Sequence, residues 1–153
     1  MVISGLRRLR FQIAEAEMTV LAAAGVYDAA NGEMFPFELQ DSVSLVGESW
    51  ETTTIRGHSE NASDWAQIRI EGDGCLLRNF TLEEGPVIEE GWKLVVHVDH
   101  VADAVLESIR VSEGAGYGVF RVSYSTNTRI EDCLLDVDDG ARSSHGIEFN
   151  TNA

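Results

Sequence analysis

Three rows of this chain repeat one alternation of apolar and polar positions. They are Leu77-Arg78-Asn79-Phe80-Thr81-Leu82, Leu106-Glu107-Ser108-Ile109-Arg110-Val111 and Ile130-Glu131-Asp132-Cys133-Leu134-Leu135. The first, fourth and sixth positions are apolar in every row. The third is Asn79, Ser108 or Asp132, small polar residues that bond to nearby backbone and tolerate a left-handed bend. Upstream of each row lies an apolar–polar–apolar triplet: Ile68-Arg69-Ile70, Val96-His97-Val98 and Phe120-Arg121-Val122, with Ile147-Glu148-Phe149 opening a fourth. Alternation with period two predicts strands. Each repeat therefore reads as strand, connection, strand, tight bend, strand and a glycine-bearing loop. In the first row Leu77, Phe80 and Leu82 are expected to face the core, and Arg78 and Thr81 to face water.

Strands this short cannot bury an apolar face alone, so the repeats must stack on one another. Like strands then lie about 4.8 Å apart and the apolar columns become ladders. The predicted fold is all-β, a right-handed parallel β-helix with triangular coils, about five to six in number. A jelly-roll sandwich would need antiparallel hairpins with two-residue turns, and Asn31-Gly32 is the only Asn-Gly pair. In the first half Met18–Leu21, Phe37–Leu39, Val43–Val46 and Thr54–Gly57 read as further strand segments. One domain over 1–153 is expected, with coils from 19 and a cap over 1–18, where Leu6, Leu9, Ile13 and Ala16 would line one face of a short helix.

Residues 20–57 carry Ala24-Gly25-Val26-Tyr27, Gly32-Glu33, Phe35-Pro36, Ser44-Leu45-Val46-Gly47-Glu48 and Ile55-Arg56-Gly57. This pattern resembles the N-terminal coils of bacterial pectate-lyase-like β-helix proteins, and in particular a domain of unknown function found in them. The resemblance implies the same solenoid. It also brings the outward faces of stacked strands into view, where polysaccharide lyases and hydrolases of similar fold do their work.

Charge narrows the partners. Acidic residues number 26 against 11 basic, for a net charge of −15, and Lys93 is the sole lysine. Such a field repels nucleic acid and anionic membranes, so neither is an expected partner. The N-terminus lacks the form of a secretory signal, which makes a soluble, cytoplasmic protein the default expectation. Cys75 and Cys133 are too few for a disulfide framework and are expected to be buried thiols.

Two sets of residues offer chemistry. The middle residues of the triplets, Arg69, His97, Arg121 and Glu148, should form one outward column. Such a column could grip an acidic or hydroxylated polymer, because arginine forks onto carboxylates; alternatively its arginines pair with the chain's own acids. Asp136, Asp138 and Asp139 form a candidate calcium site through oxygen ligands, and no other cofactor is expected. Hydrolase signatures are incomplete. In polygalacturonases, which share the predicted fold, aspartates and a His-Gly step lie about a coil apart. Here Asp138-Asp139 and His145-Gly146 share one loop, and an Arg-x-Lys step is missing. The expected function is a non-enzymatic binding or scaffold module, with carbohydrate as a candidate ligand. A homo-oligomer is expected through the coil that Ile147-Glu148-Phe149 begins, unless the chain belongs to a longer β-helix. The competing reading is a carbohydrate-active lyase or hydrolase acting on an acidic polysaccharide.

Overall fold

The computed structural model describes residues 2–3, 17–57, 66–83, 94–112, 118–136 and 145–151. Its first strand, β1 (Val2–Ile3), lies beneath the first rung, which is β2 (Thr19–Ala22), β3 (Gly25–Asp28) and β4 (Phe37–Leu39). The second rung is β5 (Ser44–Gly47), β6 (Thr53–Arg56) and β7 (Ala66–Ile70). In the third, β8 (Leu76–Glu83) runs through the bend as one strand and is followed by β9 (Leu94–Asp99). The fourth repeats this with β10 (Val105–Ser112) and β11 (Gly118–Ser123). The fifth is β12 (Arg129–Glu131), β13 (Leu134–Leu135) and β14 (His145–Asn150).

All strand pairings among the described residues are parallel, with none of the hairpins of a sandwich among them. One sheet stacks β14-β11-β9-β7-β4, five strands separated by about four turns of chain. The fold is thus the expected parallel β-helix, with five rungs among the described residues. The cap expected over 1–18 falls, apart from β1, Glu17 and Met18, outside the described residues.

The repeated rows meet in register. Leu77 pairs with Leu106 and Leu106 with Ile130, while Phe80 pairs with Ile109 and Leu82 with Val111 and Ile55. Leu77, Phe80, Leu82, Leu106 and Ile109 are fully buried. The triplets fill the facing wall of the same core: Phe37, Ile68, Val96 and Phe120 form one ladder, and Leu39, Ile70, Val98 and Val122 the next.

The bend column takes the expected conformation, with φ of 65° at Asn79, 54° at Ser108 and 51° at Asp132. Asn79 Nδ2 also donates to Gly47 O at 3.3 Å, tying the bend to the rung below. Asn79→Ala should lower stability by about 1–2 kcal/mol, because alanine is disfavoured in the left-handed region and leaves that carbonyl without this donor. Chemical denaturation of the variant measures it, and an unchanged midpoint would show that the bend carries no such preference.

A second left-handed column was not expected. Glu17, Ser42, Gly74, Asp103 and Asn127 stack two residues ahead of the strands β2, β5, β8, β10 and β12 register, all with positive φ. Beside it, Asp41 Oδ1 accepts from Asp73 N at 3.0 Å, and Asp73 Oδ1 from Ala102 N at 2.7 Å. Each carboxylate thus satisfies an amide of the next rung. One expectation fails: Thr81 is buried, because its outward hydroxyl donates to Trp50 O at 2.6 Å beneath the Ser49–Thr52 turn. Cys75 is buried and Cys133 only half-buried; both are free thiols, pushed up in pKa chiefly by burial.

Candidate functional site

The triplets' inner residues fix where the middle ones point. With Ile68 and Ile70, Val96 and Val98, and Phe120 and Val122 in the core, Arg69, His97 and Arg121 must face out. Register then aligns them: Arg69 lies beside His97, His97 beside Arg121, and Arg121 beside Glu148. The four predicted residues do form one column. A fifth member, Glu38, continues it beside Arg69. The alternation of Phe37-Glu38-Leu39 was readable, but the spacing of the later repeats does not carry back across the longer first coils to place it.

The column pairs internally. Arg121 donates to Glu148 Oε2 from Nε at 3.1 Å and from Nη2 at 2.9 Å. Only 17% of the Arg121 side chain is exposed. Arg69 reaches Glu38 at 3.6 Å and makes a closer ion pair with Glu71. Glu71, like Ser123, projects from a position two residues beyond the column, and sequence reasoning missed both.

Between the arginines sits His97, whose Nε2 lies 3.2 Å from Ser123 Oγ. Burial holds its pKa below the ordinary histidine value. Asp99 opposes this, and the Arg121 and Arg69 charges reinforce it. The imidazole is therefore neutral near pH 7. A Ser–His pair suggests an activated nucleophile, but Ser123 is only 4% exposed. Its own carbonyl accepts from His100 N at 3.0 Å and Ser125 Oγ at 2.8 Å. Those bonds hold Ser123 in the strand end.

A depressed histidine pKa has a defined pH signature. The unfolded chain takes up the proton near pH 6.5 and the folded chain only at lower pH. The stability this group supplies is thus present above that value and lost as pH falls below it. His97→Gln should remove this component and so narrow the stability difference between pH 7 and pH 5.5. Urea midpoints at both pH values check it; a variant that tracks the parent at both would show that His97 titrates alike in the two states.

The candidate calcium site is not assembled within the described residues. Asp138 and Asp139 lie outside them, Asp136 is exposed, and no group of three His, Cys, Asp or Glu residues that could hold a metal occurs among them. No helix among the described residues is long and apolar enough to cross a membrane.

Comparison with known proteins bears on both halves of this picture. Residues 10–82 match the model of a family described as a protein of unknown function, DUF1565. The matched region contains the segment whose pattern resembles pectate-lyase-like coils, and that resemblance holds. The DUF1565 region covers the first two rungs and most of β8; the outward column extends beyond it. Among solved structures, a pectin methylesterase mutant in complex with a hexasaccharide superimposes with a TM-score of 0.53 at 14% identity. The likeness covers 82% of this chain and 47% of that one, so the chain spans about half its length. At that identity the likeness establishes the β-helix fold and no more. No curated protein matches.

Proposed function

We propose that this chain is a non-enzymatic β-helix module that binds or scaffolds. The observation that carries the reading is the state of the outward column. Its arginines are held by Glu38, Glu71 and Glu148, and its histidine is neutral and bonded to a buried serine. A uronic-acid polymer would have to displace intrachain carboxylates that are already in place, at rungs only about 4.8 Å apart. Glycosidic hydrolysis needs two carboxyl groups at a set separation, one of them kept protonated. In the described part of this column the carboxylates instead neutralise arginines.

The test combines a glycan-array screen with assays for reducing ends, unsaturated products and released methanol on pectin and related polymers. No turnover of any of them is expected. Turnover that disappears in Arg121→Met, with the fold intact, would replace this reading with the enzymatic one, a lyase or hydrolase of acidic polysaccharide. The pectin methylesterase likeness makes methyl-esterified pectin the first substrate to try.

A further inference from the structure

One motif of the sequence has no part in the outward column: Asn31-Gly32, the one Asn-Gly pair in the chain. It lies in the loop between β3 and β4, where Ala29–Asn31 form a single 3-10 turn and Gly32 follows with φ 90°. Asn-Gly pairs are prone to cyclise. The glycine amide nitrogen attacks the asparagine side chain, and glycine offers no Cβ to obstruct the approach. The turn opposes each requirement of that attack. Gly32 N donates to Ala29 O at 3.0 Å, so the attacking nitrogen is engaged. Asn31 Nδ2 donates to Asp28 Oδ1 at 2.8 Å and to Val26 O at 3.3 Å, which pins the carboxamide. Asn31 N donates to the same Asp28 Oδ1 at 2.9 Å, which fixes the backbone beside it. Asn31 is nevertheless exposed to water.

We propose that Asn31 is a latent deamidation site and that Asp28 is its clasp. When the clasp opens, Gly32 N gives up its proton and bonds to Asn31 Cγ, and the Cγ–Nδ2 bond breaks. The side-chain nitrogen leaves as ammonia, taking up a proton, and a succinimide ring remains. Water then opens the ring at Cγ to give aspartate, or at the main-chain carbonyl carbon of Asn31 to give isoaspartate. Neither product can remake the clasp. Both lose the Nδ2 donor and add a carboxylate close to that of Asp28, so like charges meet where a hydrogen bond stood. Isoaspartate also inserts a methylene into the main chain between Asp28 O and Glu33 N, which are bonded at 3.0 Å. The modification is thus a one-way change in the first-rung loop. It is independent of whether the chain binds a polymer or turns one over.

The experiment incubates the full chain in mildly alkaline buffer, folded and, in parallel, unfolded in guanidinium chloride. Peptide mapping by mass spectrometry measures the conversion of Asn31, and an isoaspartyl-specific methyltransferase reports the isoaspartate formed. Conversion in the folded chain should be at least about tenfold slower than in the unfolded one, because the bonds to the Asp28 carboxylate and to Ala29 O must break first. Asp28→Ala, shown to be folded by circular dichroism, should raise the folded rate several-fold. Asn31→Asp, which carries the direct product, should lower the denaturant midpoint. Equal rates in the folded and unfolded chain, or an Asp28→Ala rate that matches the parent, would overturn the clasp. An Asn31→Asp midpoint equal to the parent's would overturn the one-way change.

Discussion

Replacing Phe80 with alanine should lower stability by about 3–5 kcal/mol, the range for a fully buried aromatic. The ring is buried completely, and it extends over the rung below. Gly47 makes this possible. A Cβ on Gly47 would lie 2.3 Å from Asn79 O and 3.2 Å from Phe80 Cε1, so the ring and the bend fill space that any other residue there would claim. Removing the ring leaves a void beside a residue with no side chain to fill it. The rungs on either side are held by parallel ladder bonds and cannot close in. Because stability in a solenoid passes between nearest neighbours, damage at the third of five rungs weakens both halves. Urea unfolding of the variant measures the loss; one below about 1 kcal/mol would mean that the ring is not packed as described.

Gly72→Ala should be nearly as damaging, for the opposite reason. The added Cβ would lie 2.0 Å from Asp41 N and 2.2 Å from Gln40 C, both main-chain atoms of the rung beneath. No flexible side chain is there to move aside. Either the rungs part or the corner rebuilds, and the bonds Asp73 N to Asp41 Oδ1 and Ser42 N to Asp73 O go with it. A loss of about 3 kcal/mol is expected, at the upper end for overpacking, or roughly 6–12 °C in Tm for a chain of this size. Gly146→Ala provides the control, because among the described residues its added Cβ meets nothing closer than Leu135 Cδ1 at 3.8 Å. It should shift Tm by no more than a degree or two. Similar effects at the two positions would contradict the close approach at Gly72.

The repeat that made this fold legible is the one in which side chains are nearly uniform down a column. Leu77, Leu106 and Ile130 announce a ladder, and so do the triplets around Arg69, His97, Arg121 and Glu148. The second left-handed column was harder to see, because Glu17, Ser42, Gly74, Asp103 and Asn127 share a backbone conformation rather than a chemistry. Thr81 looked solvent-facing by alternation; what buries it is the turn around Trp50, about thirty residues upstream, which periodicity cannot register. Gly72 carried no mark in the sequence of how closely it approaches the rung below. The site followed the same division. Its column was readable from period two and the repeat spacing. Its internal pairing was not, since whether Arg121 meets an acid or a ligand depends on the register of neighbouring rungs.

That pairing is the point on which the functional account turns. A double-mutant cycle over Arg121→Met and Glu148→Gln, read by chemical unfolding, tests it most directly. If the two side chains serve each other, the cycle should return a coupling of about 0.5–1 kcal/mol, the range for a partly exposed pair held by two hydrogen bonds. Effects that simply add, with coupling inside about 0.3 kcal/mol, would contradict the account and leave Arg121 available for an external ligand.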